Sequence, residues 1–217
     1  MKKYLAEAIG TFALVFCGTG AIIINDISGG TVTHLGIALT FGLIILGMIY
    51  ALGDISGAHF NPAVTLGFTV AGEFPAKQIV PYIIAQAIGA FLASSLLKYL
   101  FPQNIHLGAT IPSGTDMQSF WLEIVLTYFL MLVIIRVATG SKETGIMAGI
   151  AIGSIVGLEA AFAGPISGAS MNPIRSLAPA VISGDLHSLW IYLTAPLIGS
   201  VLAILTNKLL KHSTSTP

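Results

Sequence analysis

Two phrases hold the residues of this chain whose types and spacing can do chemistry, SGAHFNPAVT from Ser56 and SGASMNPIRS from Ser167. Each contains an asparagine followed by a proline, Asn61-Pro62 and Asn172-Pro173, and Arg175 follows the second pair. Asparagine is a preferred helix N-cap and proline a preferred first helical residue, so each pair announces a helix start. A helix start carries free N–H groups and the positive end of the helix dipole, which oppose cations and orient polar neutral molecules. The irregular residues before each pair, 57–60 and 168–171, would add a ladder of backbone carbonyl acceptors. Arg175 adds a fixed cation within apolar sequence, where a charge is costly and usually functional.

The elements that must position these groups belong to a membrane. Of the 217 residues, 55% are hydrophobic and 8% charged, against about 25% charged in soluble proteins. Apolar runs of spanning length, about 20 residues, begin near Tyr4, Leu35, Gln78, Phe120, Gly145 and Leu189, which predicts six spans. The opening stretch starts like a signal peptide, but its apolar run continues to Ile24 and carries Glu7, so it reads as a retained span. Cys17 is the only cysteine, which excludes an intrachain disulfide and a cysteine-built metal site; it reads as a core residue. With loops assigned to alternate sides, Lys2, Lys3, Lys77, Arg136, Lys142, Lys208 and Lys211 fall at one side and Lys98 alone at the other. The positive-inside rule then predicts both termini in the cytoplasm, in a multi-pass protein of the cell membrane.

A shift of 111 residues lays Ser56, Gly57, Ala58, Asn61, Pro62 and Leu66 on Ser167, Gly168, Ala169, Asn172, Pro173 and Leu177, and Gly42 and Gly53 on Gly153 and Gly164. At nearly the same shift Tyr82 and Gly89 meet Tyr192 and Gly199, while Glu7 and Thr11 meet Glu123 and Thr127. Each half has an odd number of spans, so the halves enter the membrane in opposite orientations, as an inverted repeat with its site near the midplane. About ten residues follow each Asn-Pro pair before Gly72 and Gly184, giving about 15 Å of helix, half of a hydrocarbon core about 30 Å thick. The expected fold is an all-α membrane protein with six transmembrane helices and two re-entrant half-helices. A single membrane domain over residues 1–217 is expected, with repeats at about 1–103 and 116–212.

Two Asn-Pro-Ala-type boxes in inverted halves, here Asn61-Pro62-Ala63 and the variant Asn172-Pro173-Ile174, resemble the signature of the major intrinsic protein family, the aquaporins and glycerol-type channels. The stretches PSGTDMQSF and FAGPISGASMNP are similar to its nodulin-26-like subgroup. The resemblance implies one pore per subunit and a homotetramer in lipid, with water and small neutral solutes as its only other partners, no cofactor or metal, and no nucleic acid. It directs the amide N–H groups of Asn61 and Asn172 into the pore. It also implies a selectivity constriction of Phe41, Ala160, Ala169 and Arg175, and gives Glu7 and Glu123 to hydrogen bonding of the box-bearing loops. His59 becomes a pore-lining residue near the cytoplasmic side. Asp54 stands where the family commonly has His, and Glu159 adjoins Ala160; both read as bonded to a neighbouring loop, with tuning of entry or gating as the alternative.

Water-selective members usually carry His where this chain has Ala160, and glycerol-selective members carry Asp where it has Ser176. Two alanines, one aromatic ring and one arginine imply an amphipathic opening wider than a water molecule. The function expected is a passive channel for water and small uncharged solutes, glycerol-like polyols and metalloid hydroxides such as arsenous acid among them. A water-selective channel is the alternative within the class, and a secondary transporter is the alternative outside it. Transport coupling needs an ionisable group that changes state in the pathway, and the aligned pore offers only Arg175 and His59. No hydrolase or metalloenzyme motif is present, so no enzyme is expected.

Overall fold

The computed structural model describes residues 1–210, the side chains of residues 143 and 144 excepted, and these residues form helices and no strand. In chain order the helices are α1 (Lys2–Ile27), α2 (Thr33–Ser56), α3 (Pro62–Ala71), α4 (Ile79–Leu100), α5 (Asp116–Ala138), α6 (Lys142–Ile146), α7 (Ala148–Ser167), α8 (Pro173–Ser183) and α9 (Leu189–Leu210). Six of them, α1, α2, α4, α5, α7 and α9, are long and apolar enough to cross a membrane. The fifth span begins at Ala148 rather than near Gly145, because the single turn α6 occupies the connection before it. Large apolar side chains such as Leu43, Ile84, Leu92, Trp121, Leu158 and Phe162 stand exposed on the outside, which suits lipid rather than water. Lys211 and the last residues of the second repeat lie outside the described residues.

The packing repeats in the two halves. Helix α1 packs on α4 and α2, as α5 packs on α9 and α7, and α2 meets α7 across the pseudo-twofold axis. The half-helices α3 and α8 each touch both α4 and α9, filling the gap between those spans. In membranes such contacts depend on small residues that let backbones approach. A Cβ on Gly42 would lie 2.6 Å from the Gly153 carbonyl oxygen, and one on Gly153 would lie 2.7 Å from that of Gly42. The repeat-related pair Gly89 and Gly199 does the same for α4 on α1 and α9 on α5, meeting the carbonyls of Ala8 and Ile124.

Broken backbone bonds are re-satisfied by side chains. Pro165 inside α7 has no N–H, and the Ala161 carbonyl four residues earlier accepts instead from His34 Nε2 at 2.7 Å. The carbonyls of Ser56 and Ser167, at the ends of α2 and α7, accept from the hydroxyls of Tyr82 and Tyr192 at 2.8 and 2.6 Å. That shared task accounts for the matched tyrosines. Cys17 is only partly buried, so it is not the core residue expected. Its near neighbours Val15, Gly18 and Thr19 take the buried face of α1 instead.

Candidate functional site

The chain reaches each half-helix through a turn that few sequences tolerate. Gly57 and Gly168 close α2 and α7 in the left-handed region, at φ 84° and 82°. Beyond them Ala58 and Phe60, and equally Ala169 and Met171, also hold positive φ. Left-handed non-glycine residues cost of order 1 kcal/mol or more each, so something must hold these loops. The holders are the buried carboxylates of Glu7 and Glu123.

Glu7 Oε1 accepts from the Ser56 hydroxyl (2.7 Å) and the His59 N–H (2.9 Å), and its Oε2 from the Phe60 N–H (2.7 Å) and the Gln86 amide (2.8 Å). Glu123 repeats this with the Ser167 hydroxyl (2.8 Å) and the N–H groups of Ser170 (2.9 Å) and Met171 (2.8 Å). Replacing Glu7 by Ala would leave two N–H groups of a strained loop unpaired, at about 1–3 kcal/mol each. The expected result is a protein that melts well below the parent in detergent and conducts little water. An unchanged melting temperature would show that the loop needs no such clamp.

Asn61 caps α3 by accepting from the Ala63 N–H at 2.8 Å, and Asn172 caps α8 by accepting from the N–H groups of Ile174 and Arg175 at 3.1 and 3.3 Å. Their amides also reach across the two halves. Asn61 Nδ2 donates to the Met171 carbonyl at 2.7 Å, and Asn172 Nδ2 donates to that of Phe60 at 2.9 Å. One N–H of each amide is therefore used in joining the boxes, and one remains. The innermost rung of each carbonyl ladder is also shared. The half-helix starts thus lie within hydrogen-bonding distance of each other's loops.

Pro62, Ala63 and Pro173 are buried at these starts, and the Ala63 carbonyl accepts from the Ser200 hydroxyl at 2.7 Å. Ile174, in place of the usual alanine, packs with Val15, Ala90, Ala93 and Ala178. Those small neighbours on α4 and α8 make room for it, and both caps form.

A cavity of about 760 Å³ runs past the boxes, lined at one end by Arg175 and at the other by Asp54 and Lys142. Phe41, Ala160 and Ala169 line it with Arg175, as do Asn61, Asn172 and His59. The Arg175 guanidinium carbon lies 5.0 Å from the centre of the Phe41 ring, a cation–π distance. Its Nη1 donates to the Gly108 carbonyl at 3.0 Å, and its Nε has no partner among the described residues. Of five guanidinium donors, the structure uses one on protein. Nε is enclosed by protein, so the N–H groups left for an oxygen in the cavity are those on the terminal nitrogens.

His59 is held rather than free. It stacks on Phe68 with ring centres 4.8 Å apart, meets Phe74 and Tyr82 edgewise or tilted, and its Nδ1 lies 3.1 Å from Thr65 Oγ1. The Thr65 hydroxyl also donates to the Asn61 carbonyl at 3.0 Å. In the second half Ser170 and Ser176 form the corresponding contact at 2.5 Å. Thr110 donates to Ser176 at 2.8 Å and Ser170 to the Asn172 carbonyl at 2.9 Å, so the hydroxyls run in one direction from Thr110 to the second box.

Two side chains differ from expectation. Asp54 is exposed at the mouth of the cavity and Glu159 is buried, and neither bonds to a loop among the described residues. Glu159 lies on α7 with both carboxylate oxygens buried and without a hydrogen-bond partner among the described residues. Sequence reasoning also missed Gly108 and the loop that carries it. Asn104 Oδ1 accepts from the Leu107 N–H at 2.7 Å, which turns Gly108 inward against Thr19 and under Arg175. The only sequence signal is an Asn and a Gly of ordinary turn type, without a copy in the other half.

A family model described as "Major intrinsic protein" matches residues 1–207. "Aquaporin NIP1-1" of Zea mays is 44% identical over 224 residues, covering 100% of this chain and 79% of that one. "Nodulin-26" of Glycine max is 44% identical over 202 residues, covering 93% and 74%. Among solved structures, the aquaglyceroporin from Plasmodium falciparum superposes with a TM-score of 0.84 at 28% identity, covering 96% of each chain.

Proposed function

We propose, from the premise that the chain belongs to the major intrinsic protein family, how this pore admits and selects its solutes. The protein is a passive multi-pass membrane channel for water and small uncharged solutes such as glycerol, and not an enzyme. One observation carries the mechanism. Two half-helix starts, capped by Asn61 and Asn172 and joined by their amides, face a continuous cavity.

At the boxes, the second N–H of each asparagine donates to a passing oxygen while the half-helix dipoles oppose cations, protons included. At the Arg175 level, the unspent guanidinium N–H groups donate to solute hydroxyls and the Phe41 ring faces their carbon side. Ala160 and Ala169 supply the room. This reading makes polyols and neutral metalloid hydroxides the solutes that fit, with arsenous acid as the test compound. His59 lines the path, held in place by its stacking on Phe68 and its contact with Thr65.

We read residues 1–217 as one channel unit, with repeats at about 1–103 and 116–212. It assembles as a homotetramer in the cell membrane. Lys2, Lys3, Lys77, Arg136, Lys142 and Lys208 at one end support cytoplasmic termini.

The test is an osmotic step on proteoliposomes. Vesicles with the protein should shrink faster than empty ones, with no proton conductance under an imposed pH gradient. A proton current comparable to an ionophore control would contradict the mechanism. Rates for water, glycerol, urea and arsenous acid on one preparation then rank the solutes.

A further inference from the structure

We propose that Gly18 on α1 sets the width of the opening at Phe41 and Arg175, by providing the space in which the Phe41 ring is seated. The proposal rests on the reading of Phe41 and Arg175 as the level that selects solutes. A Cβ at Gly18 would lie 2.1 Å from Phe41 Cε1, 2.5 Å from Cζ and 2.6 Å from Cδ1. Real carbon atoms do not approach so closely, so a methyl group there must displace the ring. On its other side the ring faces the guanidinium of Arg175, 5.0 Å from its centre, and the cavity itself. With helix backbone behind it and the cavity in front, a displaced ring moves into the path of the solute.

This glycine differs from those that bring helices together. Gly42, Gly153, Gly89 and Gly199 meet carbonyl oxygens of neighbouring helices, whereas the three atoms nearest a Cβ at Gly18 all belong to the ring. The same helix repeats the device at Gly10, where a Cβ would lie 2.0 Å from Phe60 Cε1, and Phe60 also lines the cavity. The two notches are eight residues apart, or about 12 Å along the helix.

The second half distributes its volume differently. At the shift that lays Glu7 on Glu123, Gly10 and Gly18 fall on Leu126 and Ile134, and at the shift of the boxes Phe41 and Phe60 fall on Ile152 and Met171. Glycine with phenylalanine in one half thus answers two medium-sized side chains in the other. The width at Phe41 belongs to the Gly18–Phe41 pair rather than to the ring alone.

The experiment compares glycerol and water permeability of proteoliposomes carrying Gly18→Ala, Phe41→Ala, the double variant, and Gly20→Ala as control. A Cβ at Gly20 meets only Leu97 Cδ2 at 3.4 Å, an ordinary contact, and this control should behave as the parent. Gly18→Ala should lower the glycerol-to-water ratio about tenfold, the rate equivalent of mild overpacking strain. Phe41→Ala should admit larger solutes, and adding it to Gly18→Ala should restore glycerol flux. A parental ratio in well-assembled Gly18→Ala, or a loss that persists in the double variant, would overturn the proposal. If Phe41→Ala leaves the ranking of solutes unchanged, the reading of Phe41 fails and the proposal falls with it. If Gly18→Ala alone does not assemble, recovery of assembly and flux in the double variant supports the proposal, and failure of both overturns it.

Discussion

Proteoliposomes with Ala160→His and Ala169→Thr combined are expected to lose glycerol and arsenous acid flux while keeping most of their water flux. Both alanines are buried, and both line the cavity beside Arg175 and Phe41. An imidazole fills most of the space that the Ala160 methyl leaves, and its N–H and the threonine hydroxyl compete for the hydrogen bonds a polyol makes with Arg175. Each such bond is worth about 1 kcal/mol net, and the steric term adds to it. A drop in glycerol flux of more than about tenfold follows, since about 1.4 kcal/mol of barrier is a factor of ten. Ala160→His alone should do more than Ala169→Thr alone, because the ring is larger. Assembly must match the parent, as overpacking alone costs about 1–3 kcal/mol. Parental glycerol flux in a well-assembled double variant would move the solute-selecting level away from Ala160 and Ala169.

Arg175→Val should open the pore to monovalent cations while neutral flux persists. A unit charge about 4 Å from a passing cation repels it by about 4 kcal/mol at an effective dielectric of 20. Complete loss of that term would raise cation flux about a thousandfold. The half-helix dipoles at the boxes remain, so an increase of about tenfold to a hundredfold is expected. The substitution also removes the donor from the Gly108 carbonyl and the cation from the face of the Phe41 ring. A loss of order among neutral solutes should therefore accompany the leak. Arg175→Lys keeps the charge without the planar fork, so it should preserve cation exclusion and disturb solute ranking. An unchanged leak and an unchanged ranking in assembled Arg175→Val would remove Arg175 from the pathway.

What the sequence made legible was either local or duplicated. Helix capping by Asn61 and Asn172 depends on residues within a few positions, so the half-helices could be read directly. Glu7 with Glu123 and Tyr82 with Tyr192 could be marked because each appears twice; the resemblance directed the glutamates to the box-bearing loops, but neither the individual groups they hold nor the carbonyls that the tyrosines serve could be read. The cross-bonds from Asn61 to Met171 and from Asn172 to Phe60 connect halves about 110 residues apart, and no pattern along the chain encodes which N–H is used. Gly108 and Gly18 escaped for a related reason. One acts through a carbonyl and the other through an absent side chain, and neither has a counterpart in the second repeat. Glu159 reads from the sequence as bonded to a neighbouring loop, but it lies buried on α7 without a bonding partner among the described residues.

The central claim is passive conduction of neutral solutes through the path between the boxes. The most direct measurement is glycerol uptake by proteoliposomes with identical ionic composition and pH on both sides, followed by light scattering after mixing with glycerol. Re-swelling much faster than in empty vesicles is predicted, at a rate proportional to the glycerol gradient, without saturation, and indifferent to an added sodium or proton gradient. Uptake that appears only with an ion gradient, or no faster than in empty vesicles, would contradict it.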